Sequence, residues 1–166
     1  MEERDAVDRI LDEWQSERPD LDMSPVAVVG RISRLSRLFD RALSANFAAH
    51  GIEDWMYDVL ATLRRIGAPH ELTPRELIRS TMVTTGAITN RIDRLEERGL
   101  VERSPSTTDR RSVVVRLTPA GRDLVDQVVT SHLEVEHRLL AVLSPREREL
   151  LAATLRTLAI DAGDLA

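Results

Sequence analysis

Apolar residues recur at three- and four-residue spacing along most of the chain, and the departures from that rhythm collect in one central stretch. Val7, Ile10, Leu11 and Trp14 share one face with acids opposite, which predicts a helix over residues 3–18. The run ERPDLDMS breaks it. Ser24-Pro25 then offers an N-cap followed by proline at the first helical position, where its missing N–H costs nothing. An amphipathic pattern continues to about His50 and ends at Gly51. Residues 53–66 form a further helix, closed by Gly67 and Pro69. Thr73-Pro74-Arg75-Glu76 is a capping box that opens a short helix to about Ser80. After Val83-Thr84 a helix runs to Arg98 and stops at Gly99. There the period changes: Leu100-Val101-Glu102-Arg103 and Val113-Val114-Val115-Arg116-Leu117 are β-branched runs joined by the polar loop SPSTTDRRS, a hairpin pattern. Thr118-Pro119 caps a long helix to about Leu143, and a second capping box, Ser144-Pro145-Arg146-Glu147, opens the last helix to about Ile160.

Two helices joined by a short turn and followed at once by a β-hairpin define a winged helix-turn-helix. The fold class expected is therefore mainly α with a small β-hairpin wing, its N- and C-terminal helices serving dimerisation. The expected division is residues 1–22 as an extra helix and linker, 23–52 with 118–166 as the dimerisation region, and 53–117 as the DNA-binding lobe. On a helical wheel Ile88, Ile92 and Leu95 fall within about 60° of one another and face inward. Gly86, Asn90, Asp93, Arg94 and Glu97 point outward, and Ala87, Arg91, Arg94 and Arg98 make a stripe along one flank. Thr84, Thr85, Thr89 and Asn90 are short groups suited to phosphates and base edges, asparagine pairing bidentately with adenine. The hairpin tip carries Asp109-Arg110-Arg111, and two arginines there suit the electronegative minor groove. A solvent-facing helix in a small α domain, with Asp109 holding one arginine as a surface ion pair, is the plainer alternative.

Charge sharpens this picture. The net charge is −5, yet from Arg64 to Arg122 twelve arginines face seven acids, a balance of +5, and the remainder carries −10. An acidic protein with one basic lobe is a better nucleic-acid candidate than its net charge implies. All 23 basic residues are arginine. There is no cysteine, and His50, His70, His132 and His137 never fall at i,i+4 spacing, so neither disulfide nor zinc chemistry is called for, nor any cofactor. No run approaches the ~18 apolar residues of a membrane span, and the acidic first residues MEERDAVDRI are unlike a signal peptide, so a cytoplasmic location without membrane partners is expected. An enzyme would need a nucleophile, a base and oxyanion donors, or a metal; no GxSxG, Walker loop or GxGxxG occurs.

The stretch TTGAITNRIDRLEERGLVERSPSTTDRRSVVVRLTPAGR resembles the MarR family of bacterial transcription regulators, and the resemblance extends from about Arg31 to the end. It implies a homodimer on a pseudo-palindromic double-stranded DNA operator, acting as a repressor released by a small ligand. The N-terminal helix with Trp14 and ERPDLD resembles the urate-responsive branch of the family typified by HucR, PecS and TamR. That narrower resemblance implies an effector set of Trp14, Asp58, Arg91 and Arg103, all present here. Arg91 lies about 60° off the core face of its helix, poorly placed for bases and well placed for a pocket wall. Two arginines near an aspartate and an indole suit a planar or polycarboxylate anion such as urate or a tricarboxylate. The alternative is structural, with Asp58 and Arg91 an ion pair and Trp14 the cap of a core. For the protein as a whole, the rival is a helical dimeric interaction module that reads no DNA sequence.

Overall fold

The computed structural model describes residues 3–81, 88–105 and 112–164. Among them the chain forms seven helices and three strands: α1 Ala6–Glu17, α2 Ser24–Ala49, α3 Asp54–Arg65, β1 Glu71–Leu72, α4 Pro74–Ser80, α5 Ile88–Glu97, β2 Val101–Pro105, β3 Val113–Leu117, α6 Pro119–Leu139 and α7 Pro145–Asp161. The chain divides into two compact units, residues 1–45 and 46–166.

In the first unit Asp5 caps α1 by accepting from the Val7 and Asp8 amides, and Asp8 reaches back to the Asp5 amide. Arg31 of α2 ties this cap down, donating to Asp5 at 2.8 Å and to Asp8 at 2.7 Å. Val7 is the buried contact, its methyls 3.4 and 3.6 Å from where a Cβ on Gly30 would lie. Ser24 is not the N-cap that its place before Pro25 predicts. It is the first helical residue, and Asp22 accepts from both its amide and its hydroxyl at 2.9 Å. A carboxylate two residues upstream thus takes the first of the amides that the helix leaves without an internal partner.

The second unit has its core between α3, α4, α5, the sheet and α6. Met56, Val59, Leu60 and Leu63 of α3, Leu77 of α4, and Ile88, Ile92 and Leu95 of α5 are buried. They meet Val101, Val114, Val115 and Leu117 of the sheet and Val125 and Val128 of α6. The inward trio of α5 is thus the one the helical wheel selects. Both capping boxes form: Thr73 Oγ1 accepts from the Glu76 amide and Ser144 Oγ from the Glu147 amide. The hairpin pairs Val101 with Leu117 through Pro105 with Val113. A third strand that the sequence pattern does not reveal, β1, adds to the other edge of β3, with Glu71 opposite Arg116. Arg116 Nε donates to Glu71 at 2.8 Å, so a cross-strand ion pair helps register a strand only two residues long.

Arg64 of α3 and Asp126 of α6 tie the two helices together through bonds of 2.7 and 3.3 Å. The Arg64 hydrogen bond holds the Asp126 carboxyl below its ordinary value of 3.8. A carboxyl lowered on folding contributes stability above its unfolded value and loses it as pH falls through the folded one. Asp126→Asn is therefore expected to lower the urea midpoint at neutral pH, and its gap to wild type to close in acid below 3.8. A gap that persists into strong acid would show that the pair is not what is lost.

Candidate DNA-reading and effector site

The second unit builds its functional surface on α5 and the strand that follows. Gly99, at φ +68°, ends the helix by turning the chain through a conformation that L side chains resist. Val101 follows as the first residue of β2. With Ile88, Ile92 and Leu95 committed to the core, Thr89, Asn90, Asp93, Arg94 and Glu97 are exposed. Thr84, Thr85 and Ala87, and the hairpin-tip residues Arg110 and Arg111, lie outside the described residues.

Arg103 of β2 fastens the wing to α5. Its guanidinium bonds the carboxylates of Asp93 and Glu96, and its amide donates to Glu96 Oε1 at 2.9 Å. Burial pulls the guanidinium toward its neutral form, but the bonds from Asp93 and Glu96 outweigh burial and leave its pKa raised. Arg103 is thus a brace between β2 and α5 as well as a candidate anion ligand.

Trp55 of α3 organises the opposite flank of α5. The Arg91 guanidinium carbon lies 5.6 Å from its ring centroid and that of Arg94 5.0 Å. Contacts of this kind contribute about 0.5–1 kcal/mol at exposed sites. Glu53, the residue before α3, leaves that helix uncapped and instead accepts from Trp55 Nε1 at 2.9 Å and from Arg94 Nη2 at 2.7 Å. The indole N–H bond first, then Arg94, holds the Glu53 carboxyl below its ordinary range. Arg91 Nη1 is buried and meets no hydrogen-bond acceptor among the described residues, an expensive state for a cation's donor unless an anion completes it. One turn further on, Arg98 Nη1 lies 3.0 Å from Met56 Sδ.

Asp58 is half-buried on α3, and its charge joins that of Glu136 in raising the Tyr57 hydroxyl pKa, behind burial as the main cause. Tyr57 itself stacks on Phe47 at 4.6 Å. Trp14 belongs to the first unit, where it is about half exposed on α1 at 47%. Among the predicted residues, Arg91 and Arg94 are brought onto one indole and Arg103 onto α5. The sequence reading passes over Trp55 and Glu53. A tryptophan two residues after a glutamate, at a helix start, was the only trace they left.

A model of the MarR family matches residues 50–112, which span α3 to the hairpin loop. The chain is 42% identical to the HTH-type transcriptional regulator PecS of Dickeya dadantii over 149 residues, 90% of each chain. The chain belongs to the MarR family. This MarR-family protein is also similar to a mutant of Escherichia coli MarR complexed with operator DNA, at 28% identity and a TM-score of 0.69, covering 83% of this chain and 99% of that one. It is similar too to Bordetella bronchiseptica BpsR, whose DNA binding is regulated by 6-hydroxynicotinic acid. That likeness has 25% identity and a TM-score of 0.69, covering 80% and 92%. The MarR-family chain is accordingly a winged-helix, DNA-binding transcriptional regulator, and its relatives are regulators rather than enzymes. Among the described residues no helix is long and apolar enough to cross a membrane.

Proposed function

We propose that this MarR-family regulator represses transcription by binding a pseudo-palindromic operator as a homodimer, and that a small anion such as urate or a tricarboxylate releases it. The observation that carries this reading is the two-sided build of α5. Its outward face exposes Thr89, Asn90 and Arg94, while Arg91, its guanidinium carbon 5.6 Å from the Trp55 ring centroid, keeps a buried nitrogen that meets no acceptor among the described residues. Thr84, Thr85, Ala87, Thr89, Asn90 and Arg94 would meet the major groove, and Arg110 and Arg111 the minor groove beside it. Two half-sites about one helical turn apart, roughly 10 bp, follow from two-fold symmetry.

Residues 23–52 and 118–166 serve as the dimerisation region and 53–117 as the DNA-binding lobe. In support, α2 exposes Val28, Val29, Ile32 and Leu35, and α7 exposes Leu150, Leu151, Leu155 and Leu158. Apolar faces of that extent mark a protein partner, and a second copy is the occupant that the family's two-fold operators imply. Trp14, Asp58, Arg91 and Arg103 are proposed as the effector ligands. An anion at Arg91 and Arg103 competes with the carboxylates near them and moves α5 against the wing. A ~100-fold preference for the DNA-incompetent form is about 2.7 kcal/mol of coupling.

The test is a gel shift with the intergenic DNA beside the gene, with urate, trans-aconitate, citrate and salicylate each added at millimolar concentration. One of them is expected to release the DNA. Asp58→Asn is expected to bind the operator as wild type does and to respond less to the effector. A wild-type response in that variant would remove Asp58 from the effector set. Binding that none of the four disturbs would leave a DNA reader without this effector class. No binding at low salt would favour the helical interaction module.

A further inference from the structure

Arg94 lies on the outward face of α5 and is already occupied. Glu53 Oε1 takes its Nη2 at 2.7 Å, and the indole of Trp55 lies under its guanidinium carbon at 5.0 Å. The Glu53 side chain takes no backbone amide of α3. Its second oxygen is spent on orienting Trp55 through the indole N–H at 2.9 Å. The other charge that acts on Glu53 is the guanidinium of Arg98, just past the end of α5. A carboxylate therefore stands on the surface that would meet a phosphate backbone, bound to the arginine the phosphate needs. Both Glu53 and Arg94 side chains are about half exposed, at 54% and 50%, so neither is locked in place by packing.

We propose that Glu53 is a built-in competitor for DNA phosphate at Arg94, setting the operator affinity of the regulator, with Trp55 as the residue that positions it. The proposal rests on the DNA-binding reading above. On the duplex, a phosphate oxygen replaces Glu53 as the acceptor for Arg94. The guanidinium swings off the carboxylate while the indole keeps its stem in line. Because Arg91 packs on the same ring at 5.6 Å, a change at either arginine is felt by the other through Trp55. In free protein the carboxylate costs affinity in two ways: it must be displaced from Arg94, and once displaced it stays near the backbone as a like charge.

The experiment uses the full chain and the intergenic duplex, followed by fluorescence anisotropy over a range of salt. Glu53→Gln keeps the size and the acceptor oxygen and removes the charge. It is expected to bind about threefold to tenfold tighter than wild type, the scale of an exposed ion pair in each of two protomers. Its slope of log K against log salt is expected to stay close to that of wild type, because Arg94 meets the same phosphate in both complexes. Arg94→Ala is expected to weaken binding, and Glu53→Gln in the Arg94→Ala background to restore no more than the residual like-charge effect, less than about twofold. Equal or weaker binding by Glu53→Gln, with wild type binding normally, overturns the proposal alone and makes Glu53 a support for Arg94. An undiminished gain in the Arg94→Ala background overturns it as well, because the effect would not pass through Arg94. Failure of wild type to bind at low salt overturns the DNA reading, and this inference with it.

Discussion

Replacing Gly121 by alanine is expected to destabilise the protein by about 3 kcal/mol or more, the upper range of overpacking costs. Gly121 is buried in the first turn of α6, where a Cβ would lie 1.9 Å from the carbonyl oxygen of Leu100 and 2.9 Å from its carbon. Those are backbone atoms at the start of the wing, and the same carbonyl accepts from the Thr118 amide at 3.2 Å. Neither side of the contact has a flexible tip that swings aside. In an ordinary helix glycine-to-alanine gains about 1 kcal/mol from propensity, so the sign itself is the test. The clash outweighs that gain because accommodating it moves α6 off the sheet, together with the Thr118 hydroxyl that donates to Gly99 O at 2.7 Å. For a chain of this size the melting temperature is expected to fall by about 6–12 °C, measured by circular dichroism. An unchanged or raised melting temperature would mean that α6 slides freely against Leu100.

The largest expected effect on function lies at Asn90. Asn90→Ala is expected to cost about 1–3 kcal/mol per half-site in specific binding, and about twice that for a two-fold symmetric dimer. Binding to a scrambled duplex and the salt slope are expected to stay as in wild type, because an amide that reads a base edge neutralises no phosphate. This is the opposite signature to Arg94, whose loss is expected to weaken all duplexes alike. Competition anisotropy with operator and scrambled DNA separates the two. Asn90 is exposed on α5, so its removal is expected to leave the fold intact. Equal losses on both duplexes would place Asn90 on the backbone instead of on a base.

The two capping boxes show why much of the fold was legible in the sequence. Thr73 with Glu76 and Ser144 with Glu147 meet across three residues, so the chain itself brings the partners together. The inward trio Ile88, Ile92 and Leu95 was legible for a related reason, since helical pitch alone decides which side chains share a face. Ser24 shows the limit: it begins the helix and Asp22 takes its amide, because the residue types at a helix start do not say at which residue the first turn opens. Strand β1 was hidden because two residues carry no period, and its place depends on Arg116, 45 positions away from Glu71.

In the candidate site the same division holds. Arg91, Arg94 and Arg103 stood out by residue type and by their place on the helix and first wing strand. What each one touches was decided by residues far along the chain or on another element. Arg94 meets Glu53 across 41 positions, and Arg103 closes on Asp93 and Glu96 only because Gly99 turns β2 back along α5.

The sequence by itself determined the helices, the hairpin, the buried face of α5 and the family, because each is written in short-range spacing or in a contiguous motif. Only the tertiary structure decided that one indole gathers Arg91 and Arg94, that a carboxylate occupies Arg94, and that Gly121 must lack a side chain. Each of those depends on packing between elements distant in the chain, and packing distances are properties of the folded backbone that no local pattern encodes.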